Sequence, residues 1–237
     1  MKYELITTDF IETSNGRLSR IRALVTIPGR CAMGGLGGYV ASSNNLSQSG
    51  NAWVYGNAWV YGNAWVYGDA QVSGDAQVSG DAQVSGNGRV CGDARVSGNA
   101  WVYGNGRVYG DAWVSGDAWV YGNGRVYGDA WVSGDAQVSG NGRVYGDAWV
   151  YGNAWVSGDA RVSGDAQILW VSKVGSANGT LTAYPNKNGQ ILVTRGCFIG
   201  TLPEFKKAVK QTHKNNKIAR EYALLCKFIE LRLTTDK

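Results

Sequence analysis

NGRVYGDAWVSGDAWVYGNGRVYG, residues 105–128, carries two periods at once. A six-residue unit, A-x-V-[SY]-G-[DN], runs through it, yet NGRVYG itself returns only after 18 residues. Working outward, valine stands at 54 and at every sixth position to Val162, with isoleucine at 168, so residues 51–168 form one array of 20 units. In extended backbone Ala and Val lie two apart and share a face, while x and Ser/Tyr take the other. Gly followed by Asp or Asn supplies a bend, because Gly accepts positive φ and Asx side chains bond their local backbone. One short strand and one turn cannot bury a core; stacked coils can. Six residues per side and 18 per coil predict a three-sided coil. With coils about 4.8 Å apart, six to seven of them make a rod on the order of 30 Å long.

The flanks differ in character. Residues 1–50 read as a small β-rich lead-in, with RLSRIRALVTI (17–27) alternating like a half-buried strand and GGLGGYVASSNNLSQSG (34–50) loop-like. In residues 169–237 and the junction before them, ILWVSKV, GTLTAY and QILVTRG predict three strands, with hairpins at Asn178-Gly179 and Asn188-Gly189. Thr201 with Glu204 forms a capping box for a helix that turns Phe205, Ala208 and Val209 to one face. After KNNK a second helix places Ile218, Tyr222, Leu225, Ile229 and Leu233 at core spacing. This α+β module is expected to cap the rod, since an open end would expose strand edges and invite polymerisation.

The unit V-[SY]-G-[DN]-A-x resembles the hexapeptide repeat of left-handed parallel β-helix proteins, among them the acyltransferase superfamily. The chain is similar, more closely, to bacterial and phage-encoded hexapeptide-repeat proteins. GGLGGYVASSNNLSQSGNAWVYGNA (34–58) leads into the array as in that group, and GTLTAYPNKNGQILVTRGCFIGTLPEFKKAVKQTH (179–213), followed by Glu221-Tyr222, closes it. The resemblance implies a mainly β fold, a three-sided left-handed parallel β-helix. It also implies a homo-oligomer, a trimer in the acyltransferases, and for a phage protein a host-cell partner in the cytoplasm.

Composition narrows the function classes. The net charge of +5 divides into +2 for residues 1–50, −5 for 51–168 and +8 for 169–237, so a basic module follows an acidic array. Such a module suggests an anionic partner or simply a solvated lysine surface. Four cysteines (31, 91, 197, 226) without a C-x-x-C pair argue against zinc and against a disulfide framework, and fit free thiols in a reducing, cytoplasmic compartment. MKYELITTDF lacks the apolar core of a secretion signal, and no run is long enough to cross a bilayer, so no membrane partner is expected.

Sorting outward residues by the 18-residue period gives the functional candidates. One side carries Arg89, Arg107, Arg125, Arg143 and Arg161, with Tyr109, Tyr127 and Tyr145 two residues further on. Like charges on neighbouring strands repel unless something compensates. An anionic, nucleotide-like ligand would do so, with guanidinium forks on phosphates and tyrosine faces on bases. The plainer alternative lays each Arg across a Tyr ring or against an Asp. A second side carries Trp113, Trp131 and Trp149, a third Trp101, Trp119 and Trp155, interrupted by Gln137. Trp53, Trp59 and Trp65 ring the first coil, where a partner or the lead-in is expected to cover them. These indoles suit either an interface with a partner or another rod, or a stabilising ladder. Asp75, Asp93, Asp111, Asp129, Asp147 and Asp165 line one corner, more in keeping with turn capping than with calcium. Gly replaces Ala at 88, 106, 124 and 142, either for close backbone approach or to ease the turn.

No cofactor or metal set is evident. The one histidine, His213, ends the first C-terminal helix, and no loop interrupts the array to wall an acyl-CoA pocket, which leaves acyltransfer resting on fold analogy. The reading is a non-catalytic scaffold that binds a host protein or an anionic ligand; the alternatives are a self-assembling rod and an acyltransferase.

Overall fold

The structure, a computed structural model, describes residues 1–164 and 167–234. The lead-in opens with an antiparallel hairpin, β1 (Tyr3–Thr13) and β2 (Gly16–Ala23). Against β2 lies β3 (Leu36–Val40), which also pairs in parallel with β5 (Trp59–Val60). GGLGGYV is therefore partly strand rather than loop, and the lead-in sheet continues without a break into the array. Its glycines are the reason: a Cβ on Gly38 would stand 2.5 Å from the Ala58 carbonyl oxygen, so only glycine lets the chain lie this close.

Nineteen strands of two or three residues follow, from β4 (Trp53–Val54) to β22 (Arg161–Val162). Each pairs in parallel with the strand 18 residues away, Val over Val, which makes three ladders beginning at Trp53, Trp59 and Trp65. About seven turns are stacked in this way. The valine of each of these units, and the alanine wherever glycine does not replace it, are fully buried and form one continuous core. The bend is set by glycine: Gly116, for example, has φ 66°, and a Cβ there would meet the Gly134 nitrogen at 2.8 Å. The array stops one unit short of the expected twenty. Ile168 is buried but belongs to no ladder strand, and Asp165 lies outside the described residues.

Backbone polarity explains the two ends. Within the array most N–H groups that link coils donate to a carbonyl of the following coil, as Trp53 N does to Ala70 O at 3.0 Å, while others, such as Ala58 N to Tyr55 O, bond within their own coil. The first coil is thus left chiefly with bare carbonyls and the last chiefly with bare N–H groups. The lead-in brings donors: Tyr39 and Ala41 N–H to the carbonyls of Ala58 and Val60, the Asn45 amide to Ala64, and the Lys2 ammonium to Ala52 at 2.9 Å. Burial pushes Lys2 down to about 8. At the other end come acceptors: Thr182 Oγ1 for Trp155 N–H, Tyr184 OH for Ser157 N–H, and Gln167 Oε1 for Ser163 N–H.

The acceptors Thr182 and Tyr184 sit on a separate antiparallel sheet of four strands, β23 (Leu169–Val174), β24 (Gly179–Pro185), β25 (Ile191–Arg195) and β26 (Phe198–Thr201). The fourth strand was not expected; it lies within the GCFIGT stretch that leads to the helix. On β24 the side chains alternate, Leu181 and Ala183 entering a second core while Tyr184 seals the first. Helix α1 (Leu202–His213) opens at the Thr201/Glu204 capping box, and α2 (Lys217–Leu233) buries Tyr222, Cys226 and Ile229. No helix among the described residues is long and apolar enough to cross a membrane.

Candidate functional site

The first ladder holds Arg89, Arg107, Arg125, Arg143 and Arg161 in direct register, each the backbone neighbour of the next. A valine follows each arginine into the core, which fixes where the guanidinium leaves the surface. Among the described residues none of the five makes an ion pair, and none lies over an aromatic ring. The arrangement in which Tyr or Asp neutralises each arginine is therefore not the one adopted.

The tyrosines explain part of this. Tyr109 stacks on Tyr127 at 4.8 Å and 1°, and Tyr127 on Tyr145 at 5.1 Å and 5°. Tyr127 thus has both faces covered, while Tyr109 and Tyr145 each give one face to it, so the three rings form a wall of the groove rather than separate platforms for successive bases. Burial and then the neighbouring Tyr127 raise Tyr109, against the opposing pull of Arg125, Arg143 and Arg107. Cys91 takes the tyrosine position in the Arg89 coil and is likewise raised by burial.

The other wall was missed in the sequence. Asn87, Asn105, Asn123 and Asn141 donate amide to amide along the corner that precedes the arginines, at 3.2–3.3 Å, and Asn141 ends on Asp159 at 3.1 Å. Here the NGR unit acquires a meaning. Arg95 on the second ladder follows Asp93, but four successive arginines of the first ladder follow Asn-Gly. A neutral corner leaves their charge uncompensated. The glycine of the same unit serves close approach: its φ is not positive, and a Cβ on Gly124 would stand 2.5 Å from Val138 O of the neighbouring coil.

Two further cations come from outside the array. Arg30, on the lead-in, donates to Asp69 O at 3.2 Å, next to the Gln71 that occupies the ladder before Arg89. Lys187, on the β24–β25 turn, reaches Asp159 at 3.5 Å; the Asn141 hydrogen bond and then Lys187 hold that carboxyl below its usual range. Arg125, Arg143, Arg161 and Lys187, with Asn123, Asn141 and Asp159, enclose a cleft of about 270 Å³.

The tryptophans divide. Trp53 is fully buried, edge-on to Tyr3 at 6.3 Å, and its Nε1 has no partner. It is a core residue and no interface, because the lead-in folds over the outward face of the first coil. Trp59 is partly buried, and Trp65 is exposed and stacked on Tyr67 at 4.1 Å. On the second ladder Trp113 meets Trp131 edge-on at 4.8 Å, and Trp131 stacks on Trp149 at 5.1 Å. Trp131 and Trp149 remain 40% and 49% exposed. Among the described residues no cluster of three or more His, Cys, Asp or Glu could hold a metal. His213 stands on α1 beside Tyr222, in a cleft with Arg195 and Phe198, and not on a ladder.

The YdcK beta-solenoid repeat matches at residues 52–68, 58–74, 70–86, 88–104 and 136–152, each span close to one 18-residue coil. With the ladders described, the match decides the class. This chain is a β-solenoid repeat protein. The solenoid matches no curated protein.

Proposed function

We propose that this solenoid is a non-catalytic binding scaffold whose arginine ladder grips a linear polyanion such as a single-stranded nucleic acid or a nucleotide-like ligand. One observation carries it: five guanidiniums in consecutive register, none of them in an ion pair among the described residues, the first four each beside a neutral asparagine and only Arg161 beside a carboxylate, Asp159. Cations spaced about 4.8 Å apart match the order of spacing of phosphates along a strand, and guanidinium forks suit phosphate oxygens. Because Tyr127 has both faces covered and its two neighbours one each, the reading favours recognition of backbone charge over stacking of successive bases. The shape it assumes is a three-sided prism, supported by three ladders of 18-residue period, and left-handed by the resemblance of its repeat unit. A phage origin, a cytoplasmic setting and a host protein as carrier of the anion follow from that resemblance.

Binding of a fluorescent single-stranded oligonucleotide, followed across salt concentrations, tests the reading. Arg107→Gln/Arg125→Gln/Arg143→Gln should weaken binding at low salt and lower the slope of log K against log salt by about 2, at roughly 0.7 per phosphate contact. An unchanged slope overturns it. A second reading, self-association through the tryptophan ladder, is favoured by the exposure of Trp131 and Trp149. Light scattering decides it: Trp113→Gln/Trp131→Gln/Trp149→Gln should then reduce the mass in solution, and an unaltered mass removes it.

A further inference from the structure

The C-terminal hairpin carries a second surface, unlike the arginine ladder. Helix α2 buries one stripe, Tyr222, Cys226 and Ile229, and leaves another bare: Leu224, Phe228 and Leu231 are 68%, 49% and 81% exposed. Their spacing of four and three residues puts them on one crest of the helix. Arg220 and Lys227 stand between that crest and a groove of about 590 Å³ shared with α1. The groove has an apolar floor that includes Val209, Ala219 and Ala223 and a rim that adds Lys206, Lys210 and Lys214.

Of this rim the hairpin's own carboxylates neutralise Lys206 alone among the described residues. Glu204 is taken by the helix cap, Glu221 accepts from Gly175 N–H at 2.9 Å, and Glu230 pairs with Lys206. Among the described residues Lys210, Lys214, Lys227 and Arg220 form no ion pair, and all four are exposed. Large apolar side chains on a convex crest, flanked by unpaired cations on both helices, are the pattern of a helix that lies in a bilayer interface. Nucleic acid would satisfy the cations and leave Leu224, Phe228 and Leu231 in water. A partner helix would fill the groove but not the crest beyond it. A fluid anionic surface satisfies both, since it needs no matching cavity and long basic side chains can reach its headgroups.

We infer that the α1–α2 hairpin docks the solenoid on an anionic lipid surface, with Leu224, Phe228 and Leu231 entering the headgroup–acyl boundary and the groove cations facing lipid phosphates. That no helix among the described residues is long and apolar enough to cross a membrane does not bear on this peripheral mode. The inference stands apart from the arginine ladder, because it uses different residues on a different element.

Co-sedimentation of the full chain with phosphatidylcholine vesicles, with and without phosphatidylglycerol, tests it. Binding is expected only to the anionic vesicles and should weaken with salt. Lys210→Gln/Lys214→Gln/Lys227→Gln should weaken it on the order of a hundredfold, at about fivefold per cation. Leu224→Ser/Phe228→Ser should abolish the salt-resistant fraction. All these positions are exposed, and an unchanged thermal melt certifies the fold of each variant. Arg107→Gln/Arg125→Gln/Arg143→Gln should bind vesicles as the native chain does. Equal binding to neutral vesicles, or none to either, overturns the inference. So does capture of an acidic amphipathic peptide without vesicle binding, or a concentration-dependent dimer lost in Leu224→Ser/Phe228→Ser, each of which assigns the surface to protein.

Discussion

The side chains of the first ladder are arranged at a cost to stability. Each interior arginine has a like charge on both neighbouring strands, and such pairs destabilise by roughly 0.2–1 kcal/mol each. Arg125→Gln should therefore raise stability by about 0.5–1 kcal/mol in low salt, measured by denaturant melts, while it weakens anion binding. A loss of stability would mean that the arginine serves the fold. The asparagine corner makes a sharper case. Asn123→Asp/Asn141→Asp places carboxylates where the rest of the array tolerates them, so the fold should persist, yet anion affinity should fall as far as in the arginine variants. Gly124→Ala belongs at this scale too. Its Cβ would press on a backbone oxygen that cannot move alone, and a loss of about 1–3 kcal/mol is expected in the same melts.

At the scale of elements, the two ends are matched to the polarity of the backbone between them. Tyr184→Phe keeps the ring that seals the first core and removes the acceptor for Ser157 N–H, so it should cost about 1–3 kcal/mol. The lead-in supplies a pH signature. Lys2 is held down to about 8 from 10.5 by burial, so between those values the unfolded chain keeps a proton that the folded chain has released. Stability contributed by this group rises with pH across that window and is flat below it. The melting temperature of the native chain should thus gain on that of Lys2→Met between pH 8 and 10.5; parallel curves would show that the ammonium is not desolvated.

For the whole molecule the proposed anion binding rests on the 18-residue period, and deletions separate it from the six-residue period. Removing residues 111–128 takes out one full coil and leaves Arg89, Arg107, Arg143 and Arg161 contiguous on one ladder. Removing residues 111–116 keeps the alanine and valine pattern but moves Arg125, Arg143 and Arg161 to another ladder. Both variants should fold, by circular dichroism. The six-residue deletion should lose more anion affinity, although it loses no arginine, because counterion release depends on charges acting on one strand together. Equal affinity in the two would show that alignment is irrelevant.

The repeat by itself determined the coil length, the buried Ala–Val core and the register of the arginines, because strict spacing converts directly into position when every residue has the same local environment, and the local Thr-x-x-Glu spacing did the same for the capping box at Thr201. Only the tertiary structure decided that Trp53 is core, that GGLGGYV is strand, that the tyrosines stack on each other, and that Arg30 and Lys187 extend the ladder. Each of these depends on segments remote in sequence meeting in space, or on a choice between two partners of similar energy. A period along the chain carries no information about either.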